Sequence, residues 1–252
     1  MRTKTLLIAA AALAAAVTSS QAQSSTVYSQ NIVGYVNQGL AGNGAFTMVV
    51  APLSGTTNAV DVLMPCLQNG DSVLIWNYAT SSYSQAYYIG SGANQPGGTG
   101  YGNWTYDFVN VTSAPAISPG EGYFYSTGSG NAETNTWTGT CVLSNAMNFP
   151  GNGYFSLVGS TPPIAGYVDS TNFNLPLQSG DAVLVYNGSG YDEDYYIGPG
   201  YNQPGGTGPG NWTLDFISLT NAPYVQVGQG FFYTTGSGNS ENWTQNDSYI
   251  DP

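Results

Sequence analysis

The sequence predicts an all-β protein: two tandem small β-sandwich or partly open barrel domains that follow a cleaved signal peptide. Three observations predict it. Apolar residues come in short runs punctuated by Gly, Asn and Pro rather than at helical spacing. The chain carries 34 glycines and 20 tyrosines but only 6% charged residues, a composition suited to a β-rich extracellular module. One block also recurs: residues 87–108, YYIGSGANQPGGTGYGNWTYDF, match residues 195–216, YYIGPGYNQPGGTGPGNWTLDF, at 18 of 22 positions. Around it, GNGAFTMV (42–49) aligns with GNGYFSLV (151–158), and QNGDSVLIWN (68–77) aligns with QSGDAVLVYN (178–187). GEGYFYSTGSGN (120–131) likewise aligns with GQGFFYTTGSGN (228–239). A period of about 108 residues marks duplicated domains rather than a solenoid. They are expected at residues 23–145 and 146–252.

Residues 1–22 read as a secretory signal. Arg2 and Lys4 form its basic start, residues 6–17 its apolar stretch, and Ser20-Gln21-Ala22 a small-x-small cleavage site. Twelve apolar residues are too few to cross a bilayer, which needs about 20. Residues 27–37 follow as an apolar strand with Ile32, Val33, Tyr35 and Val36. It either folds back on its own chain or adds to a neighbouring copy, because an uncharged exposed edge invites association. In the first copy, strands are expected at 46–52, 72–77, 83–89, 104–111, 122–126 and 134–142. Val73, Ile75 and the Tyr123/Tyr125 pair alternate as half-buried strands do. One helix is expected at 59–67, capped by Asn58 and limited by Pro65. Its counterpart, residues 167–177, is richer in β-branched residues and proline, which weakens the case for a second helix.

The opening VYSQNIVGYVN (27–37), followed by copies ending in GEGYFY and GQGFFY, resembles a family of secreted duplicated β-domain proteins of verrucomicrobial bacteria. The halves are also similar to small β-domains of bacterial surface proteins with a G-x-G-Y/F-W/F-V strand. The first resemblance spans nearly all of the chain after residue 22; the second covers the strand signature alone. The long Gly-rich insert shared by both copies departs from the usual member. Neither resemblance implies catalytic residues.

Charge restricts function sharply. Arg2 and Lys4 are the only cations and there is no histidine, so after residue 22 the chain has carboxylates and no basic side chain. Ser-His-Asp and Cys-His catalysis, Schiff-base chemistry and histidine-ligated zinc are excluded. Nucleic-acid binding, which depends on phosphate neutralisation, and polybasic lipid attachment go with them. Paired-carboxylate glycoside hydrolysis, oxygen-ligated calcium and binding through aromatic and amide groups survive.

The insert IGxGxNQPGGTGxGNWT is the sharpest local motif. Asn94, Gln95, Trp104 and Asp107, with Asn202, Gln203, Trp212 and Asp215, supply the ring faces, amides and carboxylates that sugar sites use. A long structured hairpin with glycines at positive φ accounts for the same residues. Solvent-facing Trp104, Trp212 and Tyr88 would favour binding, and buried rings structure. Asp192-Glu193-Asp194 reads as a calcium ligand set or, better, as a solvated strand edge, since the first copy has Ser84-Gln85-Ala86 there. Glycosidase chemistry would need Asp107 or Asp215 with Glu121 or Glu241, but Glu121 becomes Gln229 in the second copy. Cys66 and Cys141 occur together in one copy and are both missing from the other, which suggests a disulfide in an oxidising compartment; two separate thiols are the alternative. The sequons at Asn103, Asn110, Asn187, Asn211, Asn242 and Asn246 are read as unmodified.

These readings converge on a non-catalytic extracellular structural or cell-surface protein. The alternative is a carbohydrate-binding or adhesive module acting through the twin Gly-rich loops. No cofactor, metal, nucleic acid or membrane insertion after signal cleavage is expected; partners would be extracellular polysaccharide or other copies of the chain.

Overall fold

The computed structural model describes residues 33–90, 103–142, 144–198, 210–236 and 238–246, all within the compact unit Val33–Pro252. The signal segment and residues 27–32 of the expected first strand lie outside the described residues. The protein is all-β, with two open six-stranded sheets, one per copy, and one short helix among the described residues. None of those residues forms a helix long and apolar enough to cross a membrane.

In the first copy, β1 (Val33–Leu40) leads to β2 (Phe46–Val50), α1 (Val60–Leu63), β3 (Ser72–Asn77) and β4 (Ser82–Ile89). Then come β5 (Asn103–Thr105), β6 (Val111–Thr112), β7 (Gly122–Ser126) and β8 (Glu133–Thr140). The sheet order is β2-β7-β3-β4-β5-β6, antiparallel throughout. β1 folds back on its own chain and pairs with β8 along its whole length, Val33 opposite Thr140 and Leu40 opposite Glu133.

The second copy repeats this plan. Its strands are β9 (Ser144–Phe149), β10 (Phe155–Val158), β11 (Gly166–Tyr167), β12 (Ala182–Tyr186) and β13 (Tyr191–Ile197). They continue with β14 (Asn211–Thr213), β15 (Leu219–Thr220), β16 (Tyr224–Val225), β17 (Phe231–Thr234) and β18 (Glu241–Asn246). The sheet order β10-β17-β12-β13-β14-β15 is the first order transposed, and the β9·β18 ribbon stands where β1·β8 stands.

Two expected elements differ. The strand expected at 104–111 breaks into β5 and β6, because the Asp107 carboxylate accepts the Val109 and Asn110 N–H groups and folds a turn there. The helix is a single turn: Ala59, not Asn58, precedes it without a side-chain cap, and Pro65 follows Met64 at its end.

Each sheet is covered on both faces. On one face of the first sheet, Val73, Ala86, Trp104, Tyr123 and Tyr125 pack with Leu40 and Trp137 of the ribbon and with Val60 and Leu63. Val183, Trp212, Phe231 and Tyr233 do the same with Phe149, Phe173 and Trp243. On the other faces the copies meet, with Met48 and Phe124 against Leu157 and Phe232, flanked by Leu74, Trp76, Leu184 and Tyr186. β7 is therefore buried at every position, Tyr123 and Tyr125 to one side and Phe124 to the other, rather than half-buried.

The joint is approximately twofold. Val50 N–H donates to Gly228 O (2.8 Å) as Gly159 N–H donates to Gly120 O (3.0 Å), and Val49 bridges Gln229 as Val158 bridges Glu121. This explains the G-x-G motif that opens β7 and β17. Gly120 and Gly228 sit at φ +80° and +79°, where a Cβ is strained. A Cβ on Gly122 would lie 2.9 Å from Leu157 Cγ, and one on Gly230 would lie 3.0 Å from Met48 Cγ. The motif serves the approach of one copy to the other.

Candidate functional site

Asn94, Gln95, Asn202 and Gln203 lie outside the described residues. Trp104 and Trp212, which leave the Gly-rich segments, turn inward and are buried in their cores. Their neighbours across the strand pair, Tyr88 and Tyr196, pack against them with tilted rings at 5.4 and 5.3 Å. Trp212 Nε1 donates to Asp169 Oδ2 at 3.1 Å, whereas Trp104 Nε1 has no partner. These indoles fill the core and do not form a solvent-facing platform.

The opposite faces of the same strands carry an aromatic pair that the sequence did not single out. Phe108 packs on Tyr87 at 4.3 Å, and Phe216 packs on Tyr195 at 4.5 Å. Both phenylalanines adopt φ near +60° (59° and 60°), a conformation bulky residues rarely take. Asp107 and Asp215 hold it. Asp107 Oδ1 accepts Val109 N–H (2.9 Å) and Asn110 N–H (2.8 Å), and Asp215 Oδ1 accepts Ile217 N–H (2.9 Å) and Ser218 N–H (2.7 Å). The Asn110 and Val109 amides and the Asn110 side chain hold the Asp107 carboxyl down at about 2, and the Ser218 and Ile217 amides lower Asp215. Their turns expose Tyr106, Phe108 and Val109 in one copy and Leu214, Phe216 and Ile217 in the other. Both aspartates are thus committed to their own turns. A repeated Asp-Phe after Asn-Trp-Thr was the available signal, but phenylalanine is a poor marker of positive φ.

The remaining carboxylates are occupied in other ways. Glu121 accepts Ser118 N–H (2.8 Å), and its counterpart Gln229 accepts Gln226 N–H (3.0 Å), so both clip a turn. Glu241 is buried with Tyr233 and Asp181. The Asp192-Glu193-Asp194 run pairs with β12 on one side, while β14 joins β13 only at Tyr195–Ile197, so the run has a local edge on its other side and Asp192 is exposed. Asp194 points to the side where the first copy has the buried Ala86, its Oδ1 has no partner, and burial with Asp192 nearby raises its carboxyl to about 6. Among the described residues no cluster of His, Cys, Asp and Glu is placed to hold a metal ion.

The expected Cys66–Cys141 disulfide is not formed; neither cysteine is disulfide-bonded. Cys66 lies by Tyr125, Asp71 and Glu133, and burial, with Glu133 adding to it, pushes its thiol up to about 11. Cys141 lies beyond the far end of β8, its Sγ 3.3 Å from where a Gly34 Cβ would stand. Eight residues of extended strand, on the order of 25 Å, separate Glu133 from Cys141, and a disulfide needs Cα atoms within about 7 Å.

Two open grooves line the joint at equivalent places. One, of about 610 Å³, is bordered by Asn37, Gln38, Tyr186, Gln226 and Gln229; the other, of about 340 Å³, by Trp76, Tyr78, Ser118, Glu121 and Asn148. No family model, no curated protein and no solved structure matches the chain.

Proposed function

We propose that this chain is a non-catalytic extracellular structural or cell-surface protein in which a duplicated β-unit forms one rigid body. The observation that supports it most is where the residues shared by the copies go. Asp71 and Asp181 tie turns beside the sheets, Trp104 and Trp212 fill cores, and the G-x-G glycines admit the other copy. At these shared positions the identity between the copies is accounted for by folding. The N-terminal residues that read as an export signal and the lack of later basic side chains agree with this reading. Cell fractionation tests it: the chain should be recovered in the extracellular or cell-envelope fraction without residues 1–22, and retention of those residues in the cytoplasm would oppose it.

The second reading, a carbohydrate-binding or adhesive module, draws on the twin Tyr87–Phe108 and Tyr195–Phe216 pairs at the bases of the Gly-rich segments. Paired rings with nearby amides suit neutral sugar faces. A glycan array decides it. Binding that is lost in a Phe108→Ser/Phe216→Ser variant would support this reading, and an array with no signal would leave the structural one.

A further inference from the structure

Each copy sets two carboxyl groups against one tyrosine hydroxyl, with Asp71, Asp181 and Glu241 buried and Glu133 half-buried. The Tyr125 hydroxyl hydrogen-bonds Asp71 Oδ2 and lies 3.2 Å from Glu133 Oε2. In the second copy the Tyr233 hydroxyl hydrogen-bonds Asp181 Oδ2 and lies 2.7 Å from Glu241 Oε2. A phenol has a single hydrogen to donate. The aspartate is the group prepared to accept it as an anion. Asp71 also takes Gln68 N–H (2.6 Å) and Gly128 N–H (2.7 Å), and Asp181 takes Gln178 N–H and Gly236 N–H (both 2.7 Å). With the phenol hydrogen spent on the aspartate, an ionised glutamate would set lone pair against lone pair. The contact is favourable only when the glutamate brings a proton of its own.

We propose that each Asp–Tyr–Glu cluster retains one proton on its carboxyl pair at neutral pH, and that the two clusters are pH-sensitive latches fastening the closing strands β8 and β18 to their sheets. Their position fits that role: the tyrosines are on the sheet strands β7 and β17, and the glutamates are the first residues of β8 and β18. Burial and the Asp71 charge hold Glu133 above the ordinary carboxylate range, and burial does the same to Asp181. Each pair titrates as a unit. In the first copy the other titratable group facing the cluster is the Cys66 thiol, with Tyr123 beside it, while Ser129 donates to Glu133 Oε1 (3.0 Å). In the second copy Pro176 and Phe231 replace Cys66 and Tyr123, so the arrangement does not depend on the thiol.

The sign follows from the raised values. A carboxyl held above its unfolded value adds stability that is complete below that value, near 4.5 for Glu133, and fades as pH rises through the folded one. Where both clusters are protonated and the unfolded chain is not, the unfolding constant should grow about tenfold per pH unit for each cluster. Asp194 releases its proton in the same direction, so a residue-specific measurement is needed.

Carbon-13 NMR of the Glu-labelled full chain supplies it. At pH 7 the carboxyl carbons of Glu133 and Glu241 should keep the chemical shift of the protonated acid and move only above neutrality. Glu133→Gln and Glu241→Gln, whose amides supply the missing hydrogen permanently, should leave the chain folded and remove most of the fall in melting temperature between pH 5 and 8. Both glutamates ionised at pH 7, or a double variant with the wild-type pH dependence, would overturn the proposal. The NMR titration of the unaltered protein decides the matter if the double variant does not fold.

Discussion

Replacing Phe232 with alanine probes the joint between the copies. The ring is buried and lies among residues of both sheets: Trp76 at 5.4 Å, Phe124 at 6.5 Å, Phe155 at 6.1 Å and Tyr191 at 5.8 Å. Two of these partners belong to the first copy and two to the second, so the cavity would open in the joint itself. Burial among large rings that cannot all close in places the expected loss at about 3–5 kcal/mol. For a unit of this size that corresponds to a fall in melting temperature of about 6–20 °C. Guanidinium denaturation followed by far-UV circular dichroism reads the loss directly. Phe124→Ala should cost a similar amount, and the double variant should lose less than the sum, with a coupling of about 0.5–1.5 kcal/mol for the ring pair. A loss below about 1 kcal/mol for Phe232→Ala, or strict additivity with Phe124→Ala, would refute the view that these rings hold the copies together.

Thiol chemistry checks the cysteine assignment: the denatured, unreduced chain should react with two equivalents of Ellman's reagent, and in the native chain Cys66, with its thiol raised to about 11, should alkylate slowly at pH 8. The Asp-Phe turns have the opposite pH sign to the latches. Their lowered carboxyls contribute stability above the ordinary carboxylate value that is lost as pH falls through the lowered one, about 2 for Asp107, so Asp107→Asn should flatten the acid limb of the stability profile. Gly122→Ala should weaken the joint as well, because Leu157 must move to accept the new methyl group; an unchanged denaturation midpoint would contradict the close approach seen there.

How far the sequence revealed this structure varied with the physics of each segment. β3 and β7 were legible to the residue, because Gly, Asn and Thr punctuation brackets short apolar runs there. The run Tyr123-Phe124-Tyr125 contained more than was read from it. An unbroken apolar strand is buried on both faces, and the second face is where the other copy packs. The joint stayed hidden because Met48, Leu157, Phe124 and Phe232 are ordinary apolar residues whose partners lie about a hundred positions away. Trp104 and Trp212 looked like candidate ligand platforms, since a tryptophan after a Gly-rich loop has no sequence mark telling core from surface; pairing with Tyr88 and Tyr196 turned them inward. The cysteines misled because joint presence in one copy carries no distance, whereas β8 holds them apart. The Asp–Tyr–Glu clusters join residues about 50 positions apart, and only the turns before β3 and β12 bring the aspartates under the tyrosines.

The two copies should unfold as one cooperative body rather than as two beads on a linker. Scanning calorimetry of the intact chain tests it most directly. A single transition whose calorimetric and van't Hoff enthalpies agree is expected, because the cores of both sheets share the layer of Met48, Phe124, Leu157 and Phe232. Two separable transitions, each surviving when the other copy is destabilised by substitution in its own core, would contradict it.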